Sequence, residues 1–147
     1  MRSWKIAIAA AAAALIAAPS FAETVKVGFV AVLTGPEAHS GSQLEKGAEL
    51  FMKLNPTVPG GHKVEFIKRD TAGPAPDRAK RLMQELITRD RVSIITGVNF
   101  SSEGFAMMDV CKEAKFPTVI MLAGANGMTD ACPYAAQIGR ASCRERV

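Results

Sequence analysis

The sequence predicts an α/β fold, a parallel sheet with helices on both faces. Three observations predict it. Short apolar runs recur along the chain (Val25–Leu33, Val64–Lys68, Val92–Thr96 and Thr118–Leu122). Between them lie segments whose apolar residues repeat at helical spacing. The first run is also almost all apolar, as expected of a central strand covered on both faces. The order β-α-β-α-β-α-β then implies right-handed crossovers.

The first strand ends at Thr34-Gly35-Pro36, and a loop is expected to Gly41. Ser42-Gln43-Leu44-Glu45 reads as a capping box, in which the serine oxygen and the glutamate each satisfy a free N–H of the first turn. Leu44, Ala48, Phe51 and Leu54 then define a buried face, and Asn55-Pro56 stops the helix. Pro59-Gly60-Gly61 turns the chain into the second strand. A Gly- and Pro-rich loop from Asp70 leads to a helix from Pro76 to about Arg89, with proline tolerated in its first turn and Ala79, Leu82, Met83, Leu86 and Ile87 as its apolar stripe. After the third strand comes the polar turn 97–102. Phe105, Met108 and Cys111 mark the inner face of a third helix ending near Lys115. Pro117 leads into the fourth strand, Ala123–Gly127 is a small-residue turn, and Tyr134–Gln137 starts a fifth strand.

Both ends are set apart from this fold. Arg2 and Lys5 precede the apolar run Ile6–Ala18, and Pro19 is followed by Ser20-Phe21-Ala22. This is the pattern of a secretory signal cleaved after Ala22, and the run is shorter than the ~20 residues that span a bilayer. Ile138 to Val147 reads, codon for codon, as a translated short-read sequencing adapter, and residues 138–147 are set aside as an artefact. The formal charge of +4 comes from these two ends: residues 23–137 hold thirteen basic and thirteen acidic side chains. The balance gives no footprint for nucleic acid. Export would put Cys111 and Cys132 in an oxidising compartment where a bridge is chemically allowed; their spacing leaves the pairing open.

Catalytic and cofactor motifs are lacking. The turn after the first strand has neither a G-x-G-x-x-G fingerprint nor a P-loop lysine, and no G-x-S-x-G elbow occurs. His39 and His62 have no partner at metal spacing, and Asp70 and Asp77 read as capping or surface charge rather than an acid pair. No cofactor, no metal and no enzymatic activity are expected. What remains is the set of turns after the strands, which line the ligand crevice of open α/β folds. Asn99-Phe100-Ser101-Ser102 offers hydroxyls and N–H groups at a helix start, suited to a carboxylate, although Ser101 or Ser102 could simply cap its own helix. Ala123-Gly124-Ala125-Asn126 lets a ligand approach the backbone, although an ordinary tight turn reads the same way.

The stretch Val27-Gly28-Phe29-Val30-Ala31-Val32-Leu33-Thr34-Gly35-Pro36, with Gly41 and Lys46-Gly47-Ala48-Glu49-Leu50, resembles the opening of the branched-chain amino-acid-binding (Leu/Ile/Val-type) family of periplasmic solute-binding proteins of ABC importers. The likeness continues through Asp70, Pro76-Asp77, Ile95-Thr96-Gly97, Phe116-Pro117, Asn126, Met128 and Thr129. It implies the N-terminal Rossmann-like lobe of a two-lobed type I periplasmic binding protein, with the second lobe missing. It also implies a periplasmic protein that carries a small carboxylate such as a branched-chain amino acid to ABC permease subunits. The resemblance assigns ligand binding to Ser101 and Ser102, to Ala123, Gly124 and Ala125, and to the loop with His39 and Ser40. Amino-acid binders of the family usually have a threonine where this chain has Ala125, so an aromatic acid or an amide is an alternative ligand. A sensory module on the same fold is the alternative role. One lobe alone is expected to bind its ligand weakly, because half of the enclosure is lacking.

Overall fold

A computed structural model describes residues 24–138. The expected signal, residues 1–22, and residues 139–147 of the adapter-like segment lie outside the described residues. The strands are β1 (Thr24–Ala31), β2 (Lys63–Asp70), β3 (Ile94–Gly97), β4 (Thr118–Ile120) and β5 (Ala135–Gln137). The helices are α1 (Ala38–Leu54), α2 (Pro76–Glu85), α3 (Ser101–Ala114) and α4 (Met128–Ala131). All strand pairs are parallel, in the order β2-β1-β3-β4-β5.

This order sets the layers. From β1 the chain crosses one way to β2, then returns past β1 to β3 and continues to β4 and β5. With right-handed crossovers, α1 lies on one face and α2, α3 and α4 on the other. Side chains agree. Lys68 of β2 meets Glu45 and Glu49 of α1, while Leu86, beyond α2, lies against Gly28 of β1 on the opposite face. The core fills this second face: Val30, Ile95 and Ile120 of the sheet pack with Ala79, Met83, Leu86, Met107 and Cys111. Cys111 of α3 and Cys132, just after α4, form a disulfide with sulfurs 2.10 Å apart.

Local structure departs from the sequence expectation in four places. Helix α1 begins at Ala38, not at Ser42, and Glu37 is its N-cap without a side-chain hydrogen bond. The Gly35 turn winds straight into the helix through the Ala38 N–H to Gly35 carbonyl bond. Gly41 permits this, because a Cβ there would sit 1.9 Å from the Val32 carbonyl oxygen. Ser42 and Glu45 are therefore interior residues and form no capping box. Second, the apolar face of α1 is not buried: Phe51 is 60 % and Leu54 71 % exposed. One helix covers one face of five strands, and the same face leaves Ile94, Thr96, Val119 and Met121 half-buried. Third, Phe105 is 44 % exposed. The buried stripe of α3 runs through Gly104, Met107, Met108 and Cys111, and Phe105 lies at its flank, turned about 100° from Gly104. Fourth, α2 ends in a π-helical turn, Leu86–Asp90, closed by Arg91 in the left-handed region with φ 52°.

Two devices hold the carboxyl-end rim of the sheet. Asp70, closing β2, accepts from the N–H groups of Leu33 (2.8 Å) and Ala72 (2.8 Å), and from the Thr34 hydroxyl (2.5 Å). Burial opposes its charge, but the Thr34 hydroxyl and the three backbone N–H groups of Leu33, Ala72 and Thr34 outweigh that and hold its carboxyl below its ordinary value. At β3, Gly97 (φ 111°) and Val98 (φ 64°) both take left-handed backbone, which is costly for a β-branched residue. A Cβ at Gly97 would stand 2.2 Å from the Val30 carbonyl oxygen.

Gly97→Ala is expected to cost about 2–4 kcal/mol through clash and positive φ together, read from the midpoint of urea unfolding. The Asp70 contribution is present above the unfolded carboxylate value of about 4 and is lost as pH falls through the lower folded value. Stability measured from pH 6 to pH 2 should therefore fall more steeply in the wild type than in Asp70→Asn.

Candidate ligand-binding rim

The order of the strands reverses between β1 and β3, so the topological switch point lies at their carboxyl ends. Open α/β sheets bind ligands in the crevice at that point. The turns leaving β1, β3 and β4 converge there, and hydrogen bonds connect them.

Asn99 joins the first two turns. Its Oδ1 accepts from the Val32 N–H at 3.0 Å, and its Nδ2 donates to the Ser40 Oγ at 3.0 Å. The Val32 N–H lies just past the end of β1 and is buried, so it needs this partner. Ser40 in turn donates to the Glu37 carbonyl at 3.0 Å. The Ser40 proton is thus committed, and its oxygen has one lone pair left for a ligand. Sequence reasoning grouped Asn99 with its turn but gave it no role of its own; its position directly after the Gly97-Val98 strand end is the available signal.

Ser101 joins the second turn to the third. Its Oγ accepts from the Ala125 N–H at 3.2 Å. The N-cap of α3 is Phe100, so neither Ser101 nor Ser102 is the N-cap of its own helix. The first intrahelical bond runs from the Gly104 N–H to the Phe100 carbonyl at 3.0 Å. The N–H groups of Ser101, Ser102 and Glu103 precede it and have no intrahelical acceptor. An accepting Ser101 Oγ keeps its own proton to donate. The resulting chemistry is donor-rich, a hydroxyl and helix-end N–H groups at the positive pole of α3, which matches a carboxylate.

The turn after β4 is more committed than its small side chains suggest. The Ala123 N–H donates to the Val98 carbonyl at 3.0 Å, and the Gln137 Nε2 donates to the Ala123 carbonyl at 2.8 Å. Ala123 is buried, Ala125 is half-buried and held by Ser101, and Gly124 is exposed. Gly124 therefore offers the accessible backbone of this turn. Gln137, which braces it from β5, was not singled out in the sequence. His39 is exposed on α1.

The rim is an open half-crevice. Two apolar depressions among the described residues lie elsewhere, one between α1 and the sheet (Phe51, Met52, Phe66, Met121) and one between α2 and α3 (Ile87, Val110). Among the described residues no three His, Cys, Asp or Glu side chains group as for a metal.

Known proteins share this fold. The chain is 30 % identical over 131 residues to the Leu/Ile/Val-binding protein homolog 6 of Brucella abortus (strain 2308), covering 88 % of this chain and 34 % of that protein. A Rhodopseudomonas palustris ABC-transporter solute-binding protein, solved with 4-hydroxybenzoate, superposes with a TM-score of 0.74 at 34 % identity over 78 % of this chain and 31 % of its own. One from strain BisB5, solved with 3,4-dihydroxybenzoic acid, does so at 0.74 and 35 %, with the same coverages. The chain thus spans about a third of the length of its relatives. The parallel sheet with its helices matches the lobe of a type I periplasmic binding protein. The family described as periplasmic binding protein matches residues 24–141, and this chain belongs to it.

Proposed function

We propose that this chain is the first lobe of an exported substrate-binding protein that captures a small carboxylate outside the cytoplasmic membrane and delivers it to an ABC permease. It binds without performing chemistry. The observation that carries this reading is the Ser101 hydroxyl, bonded to the Ala125 N–H beside the open N-terminus of α3 at the switch point. Ser101 and Ser102 grip the carboxylate, Gly124 and Ala125 approach it from the next turn, and Ser40 accepts from the ligand's far end. A second lobe supplies the opposite wall. The leader-like residues 1–22 support export.

Among small carboxylates, aromatic acids fit better than branched-chain amino acids. The Ala125 side chain offers no hydroxyl to an α-amino group, and a buried polar group left without a partner costs about 1–3 kcal/mol. The two solved relatives named above hold hydroxylated benzoates.

In a thermal-shift screen of the two-lobed protein without its leader, 4-hydroxybenzoate should raise the melting temperature and leucine should not. Ligand at 100 times its dissociation constant adds about 2.7 kcal/mol. Ser101→Ala should weaken binding about tenfold or more, the loss of a hydrogen bond to a charged group being about 1.5–3 kcal/mol, and should lower stability by about 0.5–1.5 kcal/mol through the lost Ala125 N–H bond. Stabilisation by leucine alone would assign an amino-acid ligand. A folded protein that no carboxylate stabilises would contradict the reading.

A further inference from the structure

Glu103 is the buried charge that the binding rim does not explain. It is 1 % exposed, in the first turn of α3, two residues beyond Ser101. Its Oε2 accepts from the Phe100 N–H and its Oε1 from the Ala75 N–H, each at 3.4 Å. Phe100 is the residue from which α3 starts, and Ala75 is the one from which α2 starts. One carboxyl group therefore ties two helix starts together, immediately beneath the turn that presents Ser101 and Ser102.

A second observation bears on the same carboxyl. The Thr71 hydroxyl is buried, acts on Glu103, and completes no hydrogen bond, the one such side-chain atom among the described residues. An ionised Glu103 can accept from the Thr71 hydroxyl, and a protonated one can donate to the Thr71 oxygen while its carbonyl oxygen keeps accepting from the backbone, so Thr71 can partner the carboxyl in either state. Burial already favours the protonated form, against the Thr71 hydroxyl and the N–H groups of Ala75 and Phe100.

We propose that Glu103 is the positioning residue of the ligand-gripping turn, and that it takes up a proton when an anion binds at the start of α3. The proposal rests on the carboxylate-binding reading above. Two negative groups then share one helix N-terminus: the carboxylate beneath it and the ligand in front. Each draws on the same positive pole, and each raises the other's cost of staying ionised. The ligand is gripped from outside by Ser101 and Ser102, so Glu103 is the group that accepts the proton, and the Thr71 hydroxyl receives it in a hydrogen bond. Among the described residues no charged group acts on Glu103. On the packed elements, Asp70 is held by Leu33, Thr34 and Ala72, Asp77 and Asp130 are exposed, and Asp109 pairs with Lys80 at 3.3 Å. Linkage fixes the sign: binding that consumes a proton tightens as pH falls.

The test measures the dissociation constant of 4-hydroxybenzoate, by calorimetry in two buffers of different ionisation enthalpy, at pH 8.0 and pH 5.5. It uses the two-lobed wild type, Glu103→Gln and Thr71→Val. The wild type should bind several-fold tighter at pH 5.5 than at pH 8.0 and take up protons on binding. Glu103→Gln, a permanently neutral mimic whose amide can reach Thr71, should bind equally at both pH values, with no proton uptake. Thr71→Val, which folds without the orphan hydroxyl, should show a smaller pH effect. Wild-type binding that does not change with pH, or an unchanged pH effect in Glu103→Gln, would overturn the proposal. A ligand-free arm separates it from the function itself. Amide hydrogen exchange at Phe100 and Ala75 should accelerate in Glu103→Ala, and unchanged exchange would overturn the positioning role even if 4-hydroxybenzoate proved not to bind.

Discussion

The rim depends on one side chain bridging the point where the sheet changes direction. Asn99 closes the gap between β1 and β3 by accepting from the Val32 N–H and donating to the Ser40 hydroxyl. Without it, a buried backbone donor would be orphaned at a cost of about 1–3 kcal/mol, and the start of α1 would lose its tie to the β3 turn. The strain at Gly97 and Val98 belongs to the same device. Those two residues turn the chain sharply enough to bring Asn99 back toward Val32, and the Val98 N–H bonds to the Val30 carbonyl at 2.7 Å. Conformational strain is tolerated here because the surrounding hydrogen bonds over-determine the turn.

The architecture was legible because the strands are apolar on both faces, a signal that survives errors in boundaries. Strand ends were not. Val32 and Leu33 are as apolar as the rest of β1, yet they leave the sheet because Asn99 and Asp70 take their N–H groups. The start of α1 was misplaced for a related reason. Ser42 and Glu45 have the right spacing for a capping box, but spacing carries no information about Gly41 lying against the Val32 carbonyl. Phe51 and Leu54 obey helical periodicity and still face outward, since burial needs a covering layer as well as a pattern. The short α4 has too few residues to show a period at all.

At the site, the sequence located the turns but not the bonds within them. Ser101, Ser102, Gly124, Ala125 and Ser40 all stand at the switch-point rim, where the resemblance and the topology of open sheets both placed a ligand. The linkages through Asn99, Glu103 and Gln137 join residues far apart in the chain, and no local spacing announces them. They also change how the site reads. Ala123 has both backbone groups committed within the lobe, and Ser40 has spent its proton, so the donors left for a ligand concentrate at the start of α3. That concentration favours an anion over a zwitterion.

The most direct test of this account is where a carboxylate touches the lobe. In the 15N-labelled two-lobed protein, amide chemical shifts would be followed as 4-hydroxybenzoate is added. The account predicts that, within this lobe, the largest shifts fall on Ser101, Ser102 and Gly124, with smaller ones spreading to Phe100 and Ala75 through Glu103. Largest shifts at Ala48, Phe51 and Met52, in the depression beneath α1, would contradict it.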